Sequence, residues 1–169
     1  MHKYLAAHGY GCVRVDMRGS GDSRGLLKDE YLESELADGE AVLAWIASQD
    51  WCSGTVGMIG KSWGGFNGLQ LAARRPPELG AIVTVCSTDD RYSDDVHYMG
   101  GCLLGDNLSW ASAMFAHTTC PPDPDIVGEA WRDQWLERVD NAEPWLETWL
   151  RHPFRDDYWK HGSVCEDFT

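Results

Sequence analysis

This sequence predicts an α/β fold built on a parallel sheet, and three observations carry that prediction. Short runs rich in β-branched and other apolar residues recur at 11–16, 55–59 and 81–85. Two stretches of helical character, 35–49 and 66–74, alternate with them. Strand, helix, strand, helix, strand at this spacing is the doubly wound pattern, in which crossover helices join parallel strands. After Cys86 the composition changes, and from Trp110 onward helical spacing takes over. A partial parallel α/β unit over residues 1–100, followed by a helical region over 101–169, is therefore expected.

Residues 2–8 read as the tail of a helix closed by Gly9. The strand at 11–16 ends in Asp-Met-Arg-Gly, and Cys12 in it, like Cys86 after the third strand, is expected to be buried as a small apolar residue. Residues 18–25, RGSGDSRG, form a loop at the carboxyl end of that strand, where open α/β sheets place ligands. No Lys-Ser/Thr pair follows it, so a phosphate cradle is not indicated. Asp16 and Arg18 are expected to hold it as a structural turn through local hydrogen bonds.

Ser34 is the predicted cap of helix 35–49, with Glu35, Asp38 and Glu40 suiting its positive end and Leu36, Val42, Leu43 and Ile46 forming an inward stripe. Pro76-Pro77 ends the next helix. Residues 87–95, STDDRYSDD, make a polar, acidic connection. Beyond it, Trp131, Trp135, Leu136 and Val139 recur at helical spacing, as do Trp145, Leu146, Trp149 and Leu150. Asp125 is the expected cap of the first of these helices, and Glu143-Pro144 the start of the second. Six of the nine tryptophans lie at or after residue 110, so the densest packing is expected there. Short helices after the site loops are also where a lid over an apolar ligand is inserted.

A formal net charge of −13 argues against nucleic acid or an anionic membrane surface as partner. No apolar run approaches the ~20 residues of a transmembrane helix. Six cysteines without C-x-x-C or metal-ligand spacing point to a reduced, cytoplasmic setting and to no bound metal.

The chemistry sits at 54–75. A β-branched run enters Gly60-Lys61-Ser62-Trp63-Gly64 and a helical run leaves it, which is the G-x-S-x-G pattern in the strand–turn–helix context it requires. A serine attacks well when its hydroxyl stands clear of the backbone, hence a strained turn. Gly60 and Gly64 are expected to keep side chains out of the space where strand and helix converge. Ser62 is then the candidate nucleophile, and the Trp63 N–H, at the positive end of the helix, a donor to the oxyanion. A glycine-rich turn with a buried serine is the plain alternative.

Together with Trp45-Ile46, Asp50-Trp-Cys-Ser-Gly and Thr88-Asp-Asp-Arg-Tyr-Ser-Asp-Asp, these stretches resemble the cocaine-esterase-like and Xaa-Pro dipeptidyl-peptidase-like serine hydrolases. The resemblance implies a partial α/β-hydrolase fold with a helical cap. It also implies, without any cofactor, hydrolysis of a small ester, amide or short peptide through an acyl-enzyme on Ser62. The aspartate and histidine of the triad follow the cap in such proteins and are expected outside this chain. Within it, Asp89 or Asp90 with His97, His117, His152 or His161 is the alternative. Asp94, Asp95 and Tyr98 are candidate substrate-binding residues, through a carboxylate that pairs with a substrate ammonium; a solvated acidic loop is the plain reading. The competing function is a non-catalytic interaction module presenting an exposed tryptophan-rich helical surface.

Overall fold

The computed structural model describes residues 1–167; the last two positions of the expected helical region, 168–169, lie outside the described residues. The sheet at its centre has two parallel strands, β1 (Val56–Lys61) and β2 (Leu79–Val85), with Val56 opposite Leu79 and Lys61 opposite Val85. Among helices, α1 (His2–Ala7) opens the chain, α2 (Glu33–Ala47) precedes β1, and α3 (Trp63–Arg74) is the crossover between the strands. Parallel pairing is forced by that crossover, since both strands must run the same way along the helix that joins them.

Side chains alternate along β1. Val56, Met58 and Gly60 are half-buried toward α3, while Gly57, Ile59 and Lys61 face out. Gly68 of α3 lies over Ile82 and Thr84, where an added Cβ would sit 3.5 Å from Thr84 Cγ2, so the helix rides close on the sheet. Leu43 and Ile46 of α2 are buried, as the helical stripe predicted. The opposite face of the sheet is bare: Ile59, Val83 and Val85 are each about half exposed, at 49%, 53% and 48%.

Three sequence expectations fail here. Residues 11–16 form no strand, because among the described residues no segment offers them a ladder, and Val13 and Val15 stand exposed. β-Branched composition fits a strand but does not supply the neighbour that satisfies its backbone groups. With no covering layer, Cys12 and Cys86 are exposed rather than buried. Ser34 is not the cap of α2 either. The helix starts at Glu33, its cap residue Leu32 makes no side-chain bond, and Glu35 instead accepts the Tyr31 N–H at 2.9 Å.

The helical region begins with a small hairpin, β3 (Tyr98–Met99) and β4 (Cys102–Leu103), turned by Gly100 and Gly101, both at positive φ. A Gly-Gly pair supplies that turn at no steric cost. Then follow α4 (Asp106–Thr118), α5 (Pro124–Val127), a 3₁₀ turn at Gly128–Ala130, α6 (Trp131–Asp140), α7 (Trp145–Arg151) and α8 (Asp157–Lys160). Asp125 does not cap the helix of Trp131, since α6 follows Ala130 with no side-chain cap. Asp123 instead starts the separate short α5 by taking the Asp125 N–H at 2.9 Å, with Pro124 in the first helical position.

Tyr92, Tyr98, Met114, Trp145, Trp149 and Trp159 make the core of this region. Of the six tryptophans beyond residue 109, three are buried and three half-buried, so they pack as expected and do not form the exposed surface of the competing reading. The well-exposed ones, Trp45 and Trp51, lie in the first part of the chain. The glycine loop at 18–25 serves as a dock. Asp16 closes it locally, through its side chain to the Asp22 N–H and its carbonyl to Ser23 Oγ–H. Arg18 reaches out of the loop to pair bidentately with Asp38 of α2. Arg138 of α6 is buried and donates to the carbonyls of Gly21, Ser23 and Cys120, tying the helices onto the loop.

Candidate active site

β1 ends at Lys61, α3 begins at Trp63, and Ser62 between them carries the whole change of direction. Its backbone lies at φ 53° and ψ −121°, a conformation that costs an L-residue about 1–3 kcal/mol and persists only where the surroundings hold it. They do so from both sides. The Ser62 N–H donates to Val85 O at 2.8 Å, and the Ser62 carbonyl accepts the N–H groups of Gly65 and Phe66 at 2.7 and 3.0 Å. The side chain is left in solvent.

The glycines around it divide the work differently from the sequence reading. A Cβ on Gly60 would lie 2.1 Å from the carbonyl carbon and oxygen of Gly64, so no larger residue fits there. Gly64 itself has open space where a Cβ would go; it contributes its backbone rather than its lack of a side chain. Gly65 is the second steric necessity, since a Cβ there would meet Ser87 Oγ at 2.8 Å. Lys61 is exposed.

Trp63 is the first residue of α3, so its N–H has no acceptor within the helix and points where the macrodipole is positive. Its indole Nε1–H donates to Glu35 Oε1 at 2.5 Å, and its ring packs among Tyr31, Trp110 and Trp145.

A cleft of about 230 Å³ lies alongside, lined by Phe66, Cys86, Ser87, Thr88, Asp94 and Asp95. Burial pushes the Asp95 carboxyl up to about 6. Asp94 is exposed. Tyr98 belongs elsewhere: it is buried, stacked on Tyr92 at 4.8 Å and edge-on to Trp159, so it packs the core and has no open face toward a ligand.

Among the described residues no histidine reaches Ser62 Oγ. His97 is fully buried, with Nε2 on Glu30 Oε2 and Nδ1 on Asn107 Oδ1, both at 2.8 Å. His152 pairs with Asp156, and His161 lies against Arg91. Asp90 is committed to a turn, accepting from the Tyr92 and Ser93 N–H groups and Ser93 Oγ–H, with Arg155 beside it. A triad assembled within these residues is therefore not formed. Nor is any group of three or more His, Cys, Asp or Glu side chains placed to hold a metal ion among them.

Sequence reading missed Glu30 altogether, and for Arg91 and Glu35 it missed their roles, because these are set by partners far away in the chain. Glu30 is 1% exposed and takes Arg91 Nη2–H, His97 Nε2–H and, on its other oxygen, Trp110 Nε1–H. Burial by itself raises a carboxyl, but the His97 hydrogen bond and the charges of His97 and Arg91 outweigh it and hold Glu30 at about 2. For His97 burial works toward the neutral form, yet the hydrogen bond and charge of Glu30 win and its pKa is raised.

A parallel strand–helix–strand unit with an exposed serine at a strained strand-to-helix turn is part of an α/β-hydrolase fold. The sequence matches the X-Pro dipeptidyl-peptidase family (S15 family) over residues 1–169, and the chain belongs to that family. It is 38% identical over 97 residues to a Mycobacterium bovis protein named as a serine esterase, covering 57% of this chain and 15% of that one. It is 28% identical over 179 residues to the cocaine esterase of a Rhodococcus species, covering 94% of this chain and 31% of the esterase. In structure it is similar to a CocE/NonD family hydrolase of Staphylococcus aureus, with a TM-score of 0.65 and 27% identity over 88% of this chain and 23% of that one. The chain thus spans less than a third of the length of each of these relatives. Among the described residues no helix is long and apolar enough to cross a membrane.

Proposed function

We propose that this chain carries the nucleophile of a serine hydrolase that cleaves ester or amide bonds, X-Pro peptide bonds included. Ser62 Oγ attacks the substrate carbonyl carbon and the carbonyl oxygen becomes an oxyanion facing the Trp63 N–H. The leaving alcohol or amine departs with a proton, and water then releases the acid from Ser62. The histidine that takes the Ser62 proton, and the aspartate that orients it, come from sequence outside these 169 residues, as the resemblance implies. The observation that carries the reading is the Ser62 backbone. A strained φ at an exposed serine, closed beneath by two glycines that tolerate no side chain, has no use in packing.

The test is fluorophosphonate labelling of the full-length protein, read by mass spectrometry of the peptide containing Ser62. Labelling at Ser62 that vanishes in Ser62→Ala is expected; an unlabelled Ser62 overturns the assignment. In the 169 residues alone, without a base, turnover is expected to fall by several orders of magnitude, on the order of 10⁴.

The cleft beside the serine supports a finer expectation. Asp95, with Asp94 at its rim, receives a substrate ammonium, which returns to Asp95 the charge compensation that burial removes. Asp95 is ionised above about pH 6, so preference for amino-bearing esters over amino-free ones should grow as pH rises through that value. Asp95→Asn in the full-length protein should remove the preference. Equal effects on both ester classes would end this part of the reading.

A further inference from the structure

One side chain outside the proposed chemistry grips the first turn of α3. Glu35 Oε1 accepts Trp63 Nε1–H at 2.5 Å and Asn67 Nδ2–H at 2.6 Å, while Oε2 accepts the Tyr31 N–H at 2.9 Å. Trp63 and Asn67 stand four residues apart, one above the other on a single helix face. A single carboxylate oxygen therefore fastens two successive rungs of that helix, and it does so from the first turn of a different helix, α2.

The burial of this carboxylate needs explaining. Burial pushes the Glu35 carboxyl up, and the bonds from Trp63, Asn67 and the Tyr31 N–H work against that rise. A half-buried carboxylate with three donors and no cation among its hydrogen-bond partners is a costly way to join two helices that already meet elsewhere. Gly39 of α2 packs on Leu71 of α3, and Arg74 of α3 pairs with Glu33 and Glu40 of α2. What Glu35 adds is control of the one turn those contacts leave alone. The Ser62 backbone is tied by its own N–H and carbonyl, while the N–H of Trp63, the next residue, has no acceptor among the described residues and its side chain is fastened by Glu35.

We propose that Glu35 is a positioning residue for the acylation step, setting the rotation of the first turn of α3 through Trp63 so that the Trp63 N–H meets the oxyanion. This rests on the hydrolase reading above. Glu35 touches neither substrate nor reacting atoms and acts only through Trp63. Trp63→Phe keeps ring packing while removing the indole donor. Glu35→Gln keeps one acceptor oxygen for Trp63 and Asn67 but sets an NH₂ against the Tyr31 N–H. Glu35→Leu removes both acceptors.

The experiment is a double-mutant cycle in the full-length protein, read as the rate of fluorophosphonate acylation at Ser62 and as kcat and KM on a small ester. Misplacement by about 1 Å costs on the order of 10²-fold. Glu35→Leu is therefore expected to slow acylation 10- to 100-fold with KM within about twofold. Glu35→Gln should recover part of the loss. In the Trp63→Phe background Glu35→Leu should cause little further loss, because the route through which it acts is already cut. Should Glu35→Leu not fold, Glu35→Gln and Trp63→Phe alone decide, each being expected to slow acylation. Wild-type-like rates in the Glu35 variants, or losses from Glu35 and Trp63 that simply multiply, overturn the inference while leaving Ser62 as nucleophile. An unlabelled Ser62 in the wild type overturns both.

Discussion

The strand–turn–helix around Ser62 and the helical region beyond Tyr92 reach order by opposite means. Around Ser62 the sheet has two strands, one covered face, and apolar residues in solvent on the other; Val83 is 53% exposed. Its geometry is dictated by close contacts, of Gly60 with backbone and of Gly65 with the Ser87 side chain, and by short hydrogen bonds to Ser62. In the helical region Trp149 and Trp159 are fully buried around a charged group, Glu30 with Arg91 and His97, contributed by segments more than 60 positions apart. A reactive turn can be specified locally, because a strained backbone needs only close neighbours to hold it. A core of short helices cannot, because none of them has a face wide enough to hold itself.

The largest expected effect strikes the second region. Glu30→Ala strands two buried cations and should cost about 3–5 kcal/mol in urea unfolding. A loss under 1 kcal/mol would mean the charged group is incidental to the packing.

Acid sharpens the same point. Glu30 is held at about 2, below the 4.5 of a free carboxyl, so its contribution is present above pH 4.5 and is lost as pH falls toward 2, on the order of 3 kcal/mol in all. His97 is raised above 6.5, so what it adds is complete below 6.5 and is lost as pH rises through its folded value. The difference in melting temperature between the wild type and Glu30→Gln should plateau between about 4.5 and 6.5. Burial of Asp95, whose carboxyl is pushed up to about 6, slopes both profiles alike. A Glu30→Gln profile that tracks the wild type across both limbs would refute the assignment.

Gly60→Ala tests the first region. The 2.1 Å contact with backbone leaves no room to yield, and a loss of about 1–3 kcal/mol, with disrupted labelling of Ser62, is expected. Ser62→Gly should do the reverse for stability, adding about 1 kcal/mol by relieving the strained φ while abolishing labelling. The smallest effect belongs to the bare sheet face, where Val83→Thr should change unfolding by no more than about 0.5 kcal/mol. A large loss there would show that this face is covered in solution.

The elements legible in advance were those with a local cause. β1, α3 and β2 were read from a β-branched run, a glycine-flanked serine and a proline stop, and they lie within a few residues of where periodicity placed them. The G-x-S-x-G spelling located the strained residue at Ser62 to the position. Its neighbour was misjudged, since Gly64 meets nothing and Gly65 meets Ser87, a contact that depends on where β2 ends. Residues 11–16 had strand composition and no partner. The Asp16–Arg18 turn was half right, because Asp38 lies across the chain on α2.

Sequence alone determined the direction change at Ser62, the parallel pairing of the strands that flank it, and the helical character of the second region. Each follows from interactions among residues near one another along the chain. Only the tertiary structure decided that Glu30 would hold Arg91 and His97, that Glu35 would grasp Trp63, and that Trp145, Trp149 and Trp159, rather than Trp110, Trp131 and Trp135, would be the buried tryptophans. Those choices depend on burial, which raises the worth of a charge or a hydrogen bond severalfold and is a property no single stretch of residues possesses.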